Sequence, residues 1–317
     1  MLSKDIIAFD MSWYSIIRIY GPQAEQFLQS QLTSDLGLLT LHNNQLGAFC
    51  NIQGRIQALC RIWKSTESFF IRIPKDVVLA NLSELKKYAV FSRVYIEDYS
   101  KQWVKIGISG KKAYLYLKQI QKKIIVDSQE HLKSPDHNLY LVSNKLREDS
   151  YFELYGPSSL SQRVLKGVTL EPPSEMVRNL WSYLEIKAGI PEIFQETYTK
   201  LLPHDISLAK LGGVSFTKGC YRGQEIIARM EYRGNTKRQL YFVKGLRNNE
   251  PPRPGEQLFN SCSQENKHVV GSIIRSAKID RKNYIALAEI KNSEPDKPTY
   301  LGSKEVNIKA VFNLPDK

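Results

Sequence analysis

Three stretches of the chain share one pattern. SIIRIYGPQAEQFLQSQL (15–32), VKIGISGKKAYLYLKQI (104–120) and FELYGPSSLSQRVL (152–165) each pass from a β-type apolar run, through Gly21, Gly110 or Gly156, into a helix-type pattern. A strand that must turn at once into a helix restricts the fold sharply. Glycine supplies the positive φ such a turn asks for, and Pro22 or Pro157 fits a first helical turn, where a missing N–H costs nothing. Between the units lie strand candidates LGAFCN, GRIQALCRIW and SFFIRIP and a helix candidate DVVLANLSELKKYAV. The pattern predicts an α+β fold built from split β-α-β halves and excludes a coiled coil or solenoid.

A further helix is expected over SEMVRNLWSYLEIKAG, where Met176, Val177, Leu180, Trp181 and Leu184 form one apolar stripe, with Ser174 as N-cap and Gly189 as terminator. Beyond about residue 236 the texture changes to short alternating stretches such as RQLYFVKGL, HVVGSIIRSAKI and NYIALAEI, which predict a small antiparallel β-barrel. The expected division is 1–235 for the α+β region and 236–317 for the barrel.

Forty-five Lys and Arg against 32 Asp and Glu leave a formal charge of +13, which favours polyanionic partners. The densest basic runs are KKAYLYLKQIQKK (111–123) and RGNTKR (233–238), and both also suit a solvated surface. No uncharged apolar run approaches the roughly 20 residues of a spanning helix, so membrane insertion is not expected. Cys50, Cys60, Cys220 and Cys262 form no C-x-x-C, which argues against a zinc ribbon or disulfide scaffold and for a reducing, cytoplasmic setting with no structural metal.

Cys220 stands in FTKGCYRGQEIIARM, between LGGVSF, which resembles a strand, and GQEIIARM, which has helical composition. Lys218 and Arg222 flank it, and neighbouring cations favour the reactive thiolate. Two readings stand: a nucleophilic, ligating or redox-sensitive thiol, and a buried small apolar residue. Of the five histidines, His204 is the nearest in sequence to serve as a base.

The stretch LGGVSFTKGCYRGQEIIARMEYRGNTKR resembles the K-G-C-Y-x-G-Q-E signature of the YgfZ-type folate-binding proteins, relatives of the glycine-cleavage aminomethyltransferase, or T-protein. ELKKYAVFSRV, GPQAEQFLQSQLTSD and LWSYLEIKAGIPEI add to the resemblance, which covers residues from about 12 to 240. It implies a three-lobed ring of two ferredoxin-like lobes and a barrel, with tetrahydrofolate or a derivative as ligand. It further implies a role in maintaining iron-sulfur enzymes or their assembly, and through them in tRNA modification. Lys218, Gly219, Cys220, Tyr221, Gly223, Gln224 and Glu225 match the signature, with Arg222 in its variable slot. Cys220 and Lys218 are thereby the expected reactive pair. Tyr221, Arg222, Gln224 and Glu225 join the expected folate-binding set with Trp181 and with Trp13 or Tyr14, a flat pterin being suited to aromatic stacking and its acidic tail to a cation. Core packing remains the alternative for Trp181.

Two departures from the relatives bear on function. The acidic pair that assists one-carbon transfer in the aminomethyltransferases falls at Gln57 and Ala58 here, and neither is a general base. Lys187 stands where relatives carry a glutamate for the pterin edge, and a lysine accepts no hydrogen bond. The expectation is a folate-binding protein without turnover of its own, with folate-dependent aminomethyl transfer and direct tRNA binding by the basic surface as alternatives.

Overall fold

The computed structural model describes residues 5–117, 140–144, 151–157, 165, 168–234, 237–247, 250–263, 267–295 and 297–311. After β1 (Ile7–Asp10), the apolar run of β2 (Tyr14–Tyr20) turns at Gly21 into α1 (Ala24–Gln31). Gly21 has φ +115°, and a Cβ there would lie 2.7 Å from the Arg93 carbonyl oxygen, so a side chain is excluded twice over. The expected strands follow as β3 (Gln45–Cys50), β4 (Ile56–Lys64) and β5 (Ser68–Pro74), then α2 (Lys75–Ala89) and β6 (Tyr95–Asp98). The second strand-glycine-helix unit begins with β7 (Val104–Ser109) and is helical over 113–117. β8 (Tyr140–Asn144) and β9 (Tyr151–Gly156) come next, and the helix expected after Gly156 lies outside the described residues. β10 (Leu170–Glu171) leads to α3 (Glu175–Lys187), where Ser174 Oγ accepts the Val177 N–H at 3.3 Å as the expected cap.

The chain divides into two compact units, one of Met1–Phe27, Leu36–Gln45 and Arg61–Trp181, the other of Leu28–Asp35, Leu46–Cys60 and Ser182–Lys317. In the first, β1 and β7, β7 and β9, and β8 and β9 pair antiparallel, while β10 adds to β1 in parallel. Ala8, Ile106, Ile108, Phe152 and Leu154 bring the apolar faces of these strands into one core. A second set pairs β2 with β5 and β6 and the end of β4 with β5, all antiparallel, and α2 buries Val77, Val78, Leu82 and Leu85. A cluster of buried charges interrupts this apolar interior. Glu153, fully buried on β9, sits 3.1 Å from Arg61 Nε and 3.5 Å from Arg72 Nε, and it accepts a hydrogen bond from the Tyr155 hydroxyl. A buried carboxylate is tolerable only with such partners.

The second unit contains α4 (Gln224–Arg233) and a closed barrel of β11 (Arg238–Leu246), β12 (Gln257–Phe259), β13 (Val269–Lys278), β14 (Asn283–Lys291), β15 (Thr299–Leu301) and β16 (Lys304–Ala310), in the order β11-β14-β13-β12-β15-β16. Every pairing in it is antiparallel, and β11 closes the ring on β16. β14 is buried along nearly its whole length because its two faces serve two cores. Tyr284, Ala286, Ala288 and Ile290 join Val243 and Val270 in one, while Ile285 and Leu287 join Ile227, Leu208 and Tyr221 in the other. The register of β13 shifts between Ile273 and Arg275, beside a fully buried arginine side chain.

One sequence expectation is corrected. LGGVSF is no strand: Leu211–Phe216 is a loop, fixed where the Ser215 N–H donates to Thr33 O at 2.8 Å and Thr33 Oγ1 donates to Gly213 O at 2.6 Å. Hydrogen bonds to Thr33 replace the ladder that a strand there would have made.

Candidate functional site

The signature Lys218–Glu225 is a short loop followed by the first turn of α4, and its residues divide into anchors and an exposed tip. Lys218 is buried, and its ammonium donates to three main-chain carbonyls: Gln29 O at 2.7 Å, Leu32 O at 2.9 Å and Ser34 O at 2.8 Å. These carbonyls lie at and just beyond the C-terminal end of α1, where helical oxygens lack intrahelical donors and a cation is favoured. Lys218 Nζ also lies 5.1 Å from the centroid of the Tyr221 ring. Burial lowers the Lys218 ammonium to about 8, with the Asp35 carboxylate opposing.

Tyr221 is the second anchor. Its ring packs with Cys50, Leu59 and Ile227 in the core, and burial pushes its phenol well above the usual range. The Arg222 N–H donates to Ser30 O at 3.0 Å, tying the loop to α1 once more. Gly223 then starts α4 at φ +81°. A Cβ there would fall 2.5 Å from Asn51 O and 2.9 Å from Gly54 Cα, so the start of α4 rests directly on the Asn51–Gly54 turn between β3 and β4. That turn is held by Asn51 Oδ1, which accepts the Gln53 N–H at 3.1 Å and the Arg55 N–H at 2.8 Å. Gln224 N–H donates to Tyr221 O at 3.0 Å, and Glu225 is exposed in the first turn, where the helix dipole favours an anion.

Between the two buried anchors, Gly219 and Cys220 are exposed. The apolar-residue reading of Cys220 therefore fails, and it applies instead to Cys50 and Cys60, which are buried. Burial pushes the Cys50 thiol far up, with Arg222 opposing, and Cys60 donates its thiol to Gly47 O at 3.2 Å. His204 is also buried, with Nε2 3.3 Å from Glu231 Oε2 on α4. Gln57, at the position of the missing carboxylate, is buried and donates through Nε2 to the Tyr198 hydroxyl at 3.1 Å.

Three aromatic residues named from sequence, Trp13, Tyr14 and Trp181, lie together in the first unit. Trp181 is fully buried, edge-on to Phe9 at 5.6 Å and to Tyr151 at 5.1 Å, and its Nε1 donates to the Tyr14 hydroxyl at 3.2 Å. Tyr14 is buried under the Arg72 guanidinium, 4.0 Å from its ring centroid. Trp13 alone of the three is half-exposed, 6.1 Å from Tyr14 and with the Arg178 guanidinium 5.5 Å from its ring.

Sequence reasoning missed a buried polar group in the second unit. Glu185, fully buried on α3, lies 3.1 Å from Arg275 Nη1, and Glu192 lies 3.9 Å from the same nitrogen. Lys187, two residues on from Glu185, is exposed. The available signal was Arg275 itself, a charge inside the apolar run VVGSIIRSA.

A family model described as the GCVT N-terminal domain matches residues 1–165. The crystal structure of the glycine cleavage system aminomethyltransferase T from Bartonella henselae aligns over 98% of this chain and 86% of its own, with a TM-score of 0.75 at 16% identity. The fold is thus that of the glycine-cleavage aminomethyltransferases. The tRNA-modifying protein YgfZ of Hamiltonella defensa subsp. Acyrthosiphon pisum (strain 5AT) is 33% identical over 242 residues, 73% of this chain and 68% of the relative. The chain belongs to the YgfZ-type family of that superfamily.

Proposed function

We propose that this protein is a cytoplasmic folate-binding factor that supports iron-sulfur enzymes, or their assembly, and through them tRNA modification, with Cys220 as its reactive group. The observation that carries the reading is the exposure of Cys220 between two side chains, Lys218 and Tyr221, that are buried and fixed. A thiol held out on a braced loop is available to a partner while its position stays defined. Lys218 acts here as the brace, its donors being spent on carbonyls. The family supports the tRNA connection, since the curated relative is named a tRNA-modifying protein.

Tetrahydrofolate or a derivative is the proposed ligand. Trp13 offers the pterin a flat, half-exposed face, and Arg178 beside it suits an acidic tail. Tyr14 packs beside Trp13 and is itself fixed by the hydrogen bond from Trp181. Tyr221, Arg222, Gln224 and Glu225 remain proposed ligand-facing or loop-forming residues of the signature. A single thiolate does not hold an iron-sulfur cluster, which usually takes four, so Cys220 serves a cluster borne by a partner. Aminomethyl transfer is disfavoured by Gln57, a neutral amide bonded to Tyr198 where a base is needed.

Two measurements test the reading. Cys220→Ala is expected to fold normally by circular dichroism and to fail to complement a strain lacking the factor; full rescue would remove the role of the thiol. Anaerobic titration with tetrahydrofolate, followed by tryptophan fluorescence, is expected to give saturable quenching that Trp13→Phe reduces. Quenching unchanged in Trp13→Phe would refute the proposed stacking face.

A further inference from the structure

One surface segment of the first unit carries chemistry that the folate reading does not use. α2 runs out at Ala89 into a turn over residues 90–94 that leads to β6. Phe91 in that turn is 97% exposed and Val90 70%. Burying a phenylalanine is favourable, so the fold forgoes that gain here.

The turn is not loose. Ser92 N–H donates to Ala89 O and Val94 N–H to Ser92 O, both at 2.9 Å. Gln23 and Arg93 bond reciprocally: the Arg93 N–H donates to Gln23 Oε1 at 2.7 Å and the Gln23 N–H to Arg93 O at 3.3 Å. The approach is possible because residue 21 is glycine. Phe91 is therefore displayed by a fixed scaffold.

What surrounds it selects the partner. From Leu85 to Ile96 the charged residues are Lys86, Lys87 and Arg93, which interleave with exposed Tyr88, Phe91 and Tyr95, while Glu84 just before them accepts the Lys87 ammonium at 2.6 Å. Tyr95 stacks on Tyr20 at 5.0 Å and 23°, with the Arg18 guanidinium 4.4 Å from the Tyr20 ring centroid, so it too is presented as a supported flat face. The acid on the other flank, Glu97, accepts the Tyr20 hydroxyl at 2.8 Å and lies 3.9 Å from Arg18. An apolar protein surface would have to desolvate three cations, and an acidic peptide would leave the flat faces unused. Unstacked bases use the rings and their phosphates use the cations.

We propose that the segment Lys86–Tyr95 binds an unpaired stretch of RNA, with Phe91 and Tyr95 as stacking faces and Lys86, Lys87 and Arg93 as phosphate contacts. The inference goes beyond the folate reading and stands without it.

The test is fluorescence anisotropy of the full chain with a labelled single-stranded RNA oligonucleotide and with an RNA duplex, over a salt series. The wild type is expected to prefer the single strand. Phe91→Ala is expected to weaken single-strand binding by about 5- to 150-fold, the range for losing one base stack, with the salt dependence unchanged. Lys86→Gln with Lys87→Gln is expected to weaken it too and to flatten the log–log salt slope by about 1.4. Wild-type affinity in Phe91→Ala, equal binding of duplex, or absence of RNA binding would each overturn the proposal. So would Phe91→Ala losing an acidic protein partner while keeping RNA. The same variant should keep wild-type thermal stability and tetrahydrofolate quenching; loss of both would assign Phe91 to folding and overturn the proposal, while failure of quenching in the wild type alone bears only on the folate reading.

Discussion

The Lys218 ammonium lies 2.8 Å from the carbonyl oxygen of Ser34, a residue 184 positions earlier in the chain. With the bonds to Gln29 O and Leu32 O, this makes a signature lysine the cap on the end of α1. Lys218→Met keeps the stem and removes the donors. It is expected to lower unfolding free energy by about 2–3 kcal/mol, as carbonyls are left short of a charged donor in a buried place. The urea midpoint, at unchanged m-value, measures this, and a variant as stable as the wild type would show the cap to be idle.

The same residue gives stability a signed dependence on pH. Burial lowers the folded-state ammonium to about 8 from the usual 10.5. Between those values the unfolded chain holds a proton that the folded chain has shed, so stability from this group rises with pH across the window and is flat below about 8. The stability difference between wild type and Lys218→Met is therefore expected to grow from pH 8 to pH 10. A difference that is constant or shrinks would contradict the lowered value. Comparing the two proteins at each pH cancels the tyrosines and other lysines that titrate in the same range.

The turn-to-helix geometry at Gly223 yields a sharper test. With φ +81° and the Asn51 carbonyl oxygen 2.5 Å from where a Cβ would stand, Gly223→Ala meets a backbone atom that cannot swing away. The unfavourable φ alone costs about 1–3 kcal/mol, and the overlap adds to it. The expected result is a large fall in melting temperature or a displaced α4, visible as faster amide exchange in Gln224–Ile227. Gly219→Ala is the control, because nothing lies within 4 Å of its added methyl group, and it should leave the melting temperature near that of the wild type.

Local signals were legible where local physics decides. The turns at Gly21 and Gly110, the Ser174 cap and the alternation that closes the barrel are each set by residues adjacent in sequence, and they formed as the pattern required. LGGVSF misled because its apolar residues beside a glycine pair read as a strand after a tight turn, while Thr33, far off in sequence, supplies hydrogen bonds that hold them as a loop. The site was legible as a motif and illegible as a geometry. Spacing marked Lys218 and Cys220 as neighbours, yet it could not show that one is buried among carbonyls and the other exposed, since that depends on where α1 packs. The stripe containing Trp181 fitted both readings because a buried tryptophan and a ligand-facing one occupy the same helical position.

Arg275 and Glu185 belong to a buried charge cluster of the barrel-containing unit, an arginine facing two carboxylates at 3.1 and 3.9 Å with all three side chains nearly inaccessible. Removing the cation leaves two like charges in a place of low polarity, whereas removing one carboxylate leaves the arginine with the other. Arg275→Met is accordingly expected to cost about 3–5 kcal/mol. Glu185→Gln should cost less, about 1–3 kcal/mol, because Glu192 still answers the guanidinium. The double variant Arg275→Met with Glu185→Gln should recover part of the loss, since one of the stranded charges is then gone. Chemical denaturation of the three proteins measures the coupling, and strict additivity would mean that Glu185 and Arg275 contribute independently despite their contact.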